Sequence, residues 1–215
     1  MKLRLGDHSR RAGATPSLRR TSPLWTTLNF AHLTLWKSTD AGAKRICLIG
    51  LDMPAFEYKQ AEEIRDALKR HNVRYLFIGK SGAILLGFPD TTQDADLYVD
   101  RNLTNGRALV AAVRDLGFDL TDEQAGEIER GKDFVQLKNG PFDLDLVFAP
   151  DGIERFEDAW SRHIDVEDFP VCHIDDIIAS KEAAGRARDR ESLPRLRAFR
   201  EYWVQHRREK RPKNA

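Results

Sequence analysis

Two short segments constrain this chain more than anything else in it. In Asp94-Ala-Asp-Leu-Tyr-Val, residues Asp94, Asp96 and Tyr98 alternate with Leu97 and Val99. In Phe142-Asp-Leu-Asp-Leu-Val-Phe, Asp143 and Asp145 alternate with Leu144, Leu146 and Phe148. A period of two is the mark of a strand, because successive side chains leave opposite faces. Each segment therefore carries a pair of carboxylates on one face and an apolar set on the other. Like charges crowded on a sheet repel unless something neutralises them.

The rest of the pattern alternates between helix and strand. Ala61, Ile64, Ala67 and Leu68 fall at helical spacing up to Asn72. Residues 73–78 read as a buried strand ending at Gly79, and 81–86 as a short helix stopped at Gly87. Helices are expected at 104–116, 122–130 and 153–163, and then over 175–188 and 191–206. Strand 134–137 should join strand 142–148 through a two-residue turn at Asn139-Gly140. The expectation is an α/β fold: one mixed sheet of four or five strands flanked by helices, with a helical C-terminal section.

Charge divides the chain. Residues 1–52 hold nine Lys/Arg against three acids, and the remainder holds 26 against 31. This suggests a basic leader at 1–52 without identifiable chemistry, a core at 53–150, a helical section at 151–206 and a basic tail at 207–215. A run at 45–51 has the apolar character of a strand but no partner. No stretch has the ~20 apolar residues of a membrane span. Cys47 and Cys172 are too few for a disulfide framework or a zinc site, so a reducing, cytoplasmic setting is expected.

The chemistry converges on residues 77–97. Gly79-Lys80-Ser81-Gly82 joins a strand to a helix, where backbone N–H groups can face an anion. Two carboxylates at Asp94 and Asp96, with a third from Asp145 or its neighbour Asp143, suit a hard cation such as Mg²⁺. A pair of such ions would clamp the attacking and leaving oxygens of a phosphoryl or nucleotidyl transfer. Gly79-Lys80-Ser81 is not the end of a P-loop, since position 74 is Arg and not Gly.

Gly79-x-Ser81, the short helix to Gly87 and Thr92-x-Asp94-x-Asp96 resemble the nucleotidyltransferase superfamily that includes DNA polymerase beta. The run from Ile174 through Lys181, Arg186 and Asp189 is similar to the branch related to abortive-infection toxins of type IV toxin–antitoxin systems. The resemblance spans about residues 60–205. It implies Mg²⁺ on Asp94, Asp96 and Asp145, and triphosphate held by Gly79, Lys80 and Ser81. It implies an active-site role for Lys181, and places Thr92, Arg186 and Asp189 on the nucleotide side. On one continuous helix Arg186 would lie about 140° from Lys181. The sequence departs from the pattern at Lys80, where a small residue is usual, and at Asp90, where a basic one is common.

The implied activity is transfer of a nucleoside monophosphate from an NTP to an acceptor hydroxyl on RNA, protein or a small molecule. A cognate antitoxin is an implied partner, and no membrane is involved. The competing expectation is a non-catalytic nucleotidyltransferase-fold protein acting as a binding or antitoxin-like partner. A metal-dependent glycosyltransferase is the weakest reading, because the chain shows no separate sugar-nucleotide domain.

Overall fold

The structure, a computed structural model, describes residues 56–209. The basic leader, the candidate strand at 45–51 and the end of the tail lie outside the described residues. Chain order is α1 (Tyr58–Arg70), β1 (Tyr75–Phe77), α2 (Gly79–Leu85), β2 (Asp94–Val99), α3 (Leu103–Asp115), α4 (Asp122–Glu129), β3 (Phe134–Leu137) and β4 (Asp143–Val147). Then follow α5 (Phe156–Arg162), β5 (Ile164–Val166), β6 (Phe169–Val171), α6 (Ile174–Ala184) and α7 (Ala187–Glu209).

The six strands form one mixed sheet in the order β3-β4-β2-β1-β6-β5. β2 runs antiparallel to β1 and parallel to β4, and β1 runs parallel to β6. The parallel β2–β4 pairing sets Asp94 opposite Asp143 and Asp96 opposite Asp145. Both acid-bearing strands thus lie side by side at the centre of the sheet. Their apolar residues Leu97, Leu144 and Leu146 are fully buried. Helix α1 packs through Ala61, Ile64, Ala67 and Leu68, the face its periodicity marks out.

Three expectations need correction. The segment 151–206 is not wholly helical, because β5 and β6 form a hairpin that brings the sheet to six strands. Its turn is made by Glu167 and Asp168, both with positive φ, so neither Gly nor Asn announces it. The β3–β4 connection is longer than two residues, since Leu137 pairs with Leu144. Gly140 is not among the positive-φ glycines. A Cβ there would lie 2.2 Å from the Phe118 ring, so its smallness makes room for an aromatic. Finally, the helix expected over 175–188 stops at Ala184. Gly185 adopts the left-handed conformation (φ 59°) that ends a helix, and α7 starts at Ala187.

Two ionic contacts tie the C-terminal helices to the body. Asp176 in the first turn of α6 is buried and receives Arg162 of α5 in a forked pair at 2.6–2.9 Å. Arg195 of α7 donates to Asp90 at 3.1 Å and to the Pro89 carbonyl at 2.9 Å. No helix among the described residues is long and apolar enough to cross a membrane.

Candidate active site

The β1–α2 corner is built around Asp96. Gly79 has φ +62°, and a Cβ on it would lie 2.3 Å from the Asp96 carboxylate. Only glycine allows both the turn and that approach. A Cβ at Gly82 would lie 2.8 Å from the Phe77 carbonyl, so α2 sits directly on β1. Ser81 is fully buried. Its hydroxyl donates to the Ile78 carbonyl at 3.1 Å and accepts from the Asp96 N–H at 2.9 Å. That hydroxyl pins the turn to β2 and does not line the cavity, unlike the phosphate contact expected of it.

Asp94, Asp96 and Asp145 each bring a carboxylate oxygen to within 4.8 Å of the others. Asp145 is buried, while Asp94 and Asp96 are half-buried. Asp94 accepts from the Thr92 hydroxyl, so Thr92 orients a carboxylate. Asp143, the alternative third acid, is not in the group of three. Burial, followed by the charges of Asp94 and Asp145, pushes the Asp96 carboxyl up to about 7; Lys181 and the Lys80 backbone oppose the rise. Asp145 is also raised, first by burial, with a hydrogen bond from Gln136 opposing it and Asp94 and Asp143 adding to it. With Asp96 and Asp145 driven up in this way beside Asp94, the three acids form a site suited to a cation.

The carboxylates open into a cavity of about 300 Å³. Gly79, Lys80, Thr92, Lys181, Arg186 and Asp189 also line it. Except for Ser81 and Asp143, the site residues singled out from the sequence therefore meet at one cavity. Lys181 is mostly buried and donates to Asp189 at 3.0 Å; Asp189 is itself buried. The break at Gly185 alters the geometry expected of Arg186. It sits in the α6–α7 corner, its carbonyl accepting from the N–H groups of Asp189 and Arg190. The 140° separation along one helix therefore does not apply, and Arg186 reaches the same cavity as Lys181.

Two contributors escaped the sequence reading. Arg188, in the first turn of α7, lines the cavity beside Arg186. Gln136 of β3, directly opposite Asp145, donates its side-chain N–H to Asp145 Oδ1 at 2.9 Å. Arg188 follows from the basic run 186–190 once the helix break is known. A glutamine on an edge strand carries no comparable signal.

No family model and no curated protein sequence matches the chain. Among solved structures it is similar to the lincosamide antibiotic adenylyltransferase LnuA in its lincomycin-bound crystal structure. The TM-score is 0.50 with 14% identity, over 67% of this chain and 98% of that one. The fold is similar to that of a nucleotidyltransferase. At this identity the likeness speaks to architecture alone, and the toxin branch finds no counterpart in it.

Proposed function

We propose that this chain is a Mg²⁺-dependent nucleotidyltransferase, moving a nucleoside monophosphate from an NTP to an acceptor hydroxyl. The observation that carries this reading is the convergence of Asp94, Asp96 and Asp145 on one cavity that also holds Lys80, Lys181, Arg186 and Arg188. The three acids form an all-oxygen donor set, which fits a hard divalent ion. Bound there, Mg²⁺ would neutralise triphosphate charge and polarise the reacting phosphorus.

The chain's own residues supply the rest. The α2 N-terminus, with the backbone at Gly79 and Lys80, faces the phosphates. Lys181, held by Asp189, stabilises charge on the departing pyrophosphate, and Arg186 and Arg188 extend that positive wall. The acceptor hydroxyl loses its proton to solvent as its oxygen bonds to the α-phosphorus, the bond from that phosphorus to the bridging oxygen breaks, and pyrophosphate leaves with that oxygen. The acceptor hydroxyl belongs to an RNA, a protein or a small molecule; the resemblance at Lys181, Arg186 and Asp189 supports an RNA or protein acceptor and a cognate antitoxin. A cytoplasmic location belongs to the same reading.

The non-catalytic alternative draws on Lys80, where a small residue is usual, and on the missing basic residue at position 90. Arg195 pairs with Asp90 at 3.1 Å, which neutralises that acid without restoring the phosphate contact. The test is incubation with each labelled NTP and Mg²⁺, with total RNA, protein or amine- and hydroxyl-bearing small molecules as acceptors. Labelled product that disappears in Asp94→Asn supports the enzyme. Nucleotide binding without product from any acceptor supports the partner reading.

A further inference from the structure

Asp145 is buried, yet among the described residues no hydrogen bond from its own strand fixes the rotation of its carboxyl group. Rotation about the last torsion of an aspartate is broad and two-fold, so burial alone does not choose which oxygen faces the other acids. The neighbouring strand supplies the missing restraint. β3 pairs antiparallel with β4, Gln136 stands directly across from Asp145, and its amide N–H reaches Oδ1 at 2.9 Å. Side chains directly opposite in such a pair are close enough for this contact without distortion. β3 is an edge strand in which Val135 and Leu137 are buried and Phe134 and Gln136 are exposed. Gln136 therefore contributes little to the core, and its side-chain N–H is donated to the carboxylate.

We infer that Gln136 is a positioning residue for the metal: by holding Asp145 Oδ1 it turns the remaining lone pairs of that carboxylate toward the ion shared with Asp94 and Asp96. This rests on the assignment of those three acids as metal ligands. Removing such a hydrogen-bonding partner of a ligand typically costs 10–100-fold in metal affinity. Gln136 does not line the cavity. Its loss acts on metal binding and leaves turnover at saturating metal nearly intact.

The experiment is Mn²⁺ titration by calorimetry on the full chain, alone and with a non-hydrolysable analogue of each NTP, comparing wild type with Gln136→Met. Methionine keeps the length and flexibility of glutamine and lacks the donor. Melting of the metal-free variant, expected to match wild type, shows whether β3 is intact, and Gln136→Leu serves as a second variant if it is not. The expected result is a 10–100-fold weaker Mn²⁺ affinity. The Mg²⁺ concentration for half-maximal turnover should rise by a similar factor, while the NTP constant and turnover at saturating Mg²⁺ stay within about threefold. Equal Mn²⁺ affinity in wild type and variant overturns the inference and leaves the metal assignment standing. A wild type that binds no Mn²⁺ under either condition overturns both.

Discussion

At the residue scale the site depends on small groups held very close to Asp96. Adding a methyl at Gly79 forces a left-handed backbone on a residue with a Cβ and drives that Cβ into the Asp96 carboxylate, 2.3 Å away. Gly79→Ala should cost at least the ~1–2 kcal/mol of the backbone term, read as a lower melting temperature, and should abolish turnover because Asp96 must move. Ser81→Ala behaves differently. It leaves the buried N–H of Asp96 without its hydroxyl partner at 2.9 Å, a loss of about 1–3 kcal/mol. Because that hydroxyl does not line the cavity, NTP affinity of the folded Ser81→Ala protein should stay within about twofold. A large loss of NTP affinity in a normally melting Ser81→Ala protein would return Ser81 to the phosphate role implied by the resemblance.

At the element scale the decisive feature is the corner between α6 and α7. Lys181 at the end of one helix and Asp189 at the start of the next form a mostly buried pair at 3.0 Å across the Gly185 turn. Removing one partner strands the other's charge. Some solvent reaches both groups, so Lys181→Met should cost about 2–3 kcal/mol, less than the 3–5 of a sealed pair. Lys181→Met with Asp189→Leu should recover most of that stability in chemical denaturation. The double variant should still turn over about 10²-fold more slowly, because the cation beside the leaving group is gone. Recovery of both stability and turnover would reduce the pair to scaffolding.

This corner also shows how far the sequence could be read. Alternation in 94–99 and 142–148, helical spacing in 61–68 and the glycine stop at 87 all translated into the observed elements, because one buried face dictates the period. Ala-Ala-Gly185 looks like the interior of a good helix, and only the backbone angle shows it as a stop. The β5–β6 hairpin was invisible because its strands have three residues each and its turn uses Glu167 and Asp168. Asp94 and Asp96 could be named in advance because strand periodicity aligns them; periodicity leaves Asp143 and Asp145 open as the third acid, and the resemblance points to Asp145. Gln136 could not, since strand register is a property of the folded sheet.

At the scale of the whole molecule the crowded acids should make stability depend on pH and on metal together. The folded Asp96 carboxyl is raised to about 7, above the ~3.9 of an unfolded chain. The folded state then binds the extra proton between those values. Stability owed to this group is fully present below about 4 and is lost as pH rises toward about 7 and beyond. In chelator, the melting temperature should therefore carry a falling contribution across that window, and this contribution should be absent in Asp96→Asn. Mg²⁺ should raise melting more at pH 8 than at pH 5, because at low pH it competes with the proton. Equal Mg²⁺ effects at both pH values would count against a cation at these acids.

The parallel pairing of β2 with β4 has a consequence in time. Asp96 and Asp145 come from distant parts of the chain, with α3, α4 and β3 between them. Closing so long a sequence separation is intrinsically slow. Lys181 and Asp189 come later still. During synthesis the emerging polypeptide can complete Gly79, Ser81 and Asp96 well before it has anything to set beside them. A ribosome-bound chain that has not yet released residue 189 lacks the Lys181–Asp189 pair, so the cavity described above is complete only once the start of α7 has emerged.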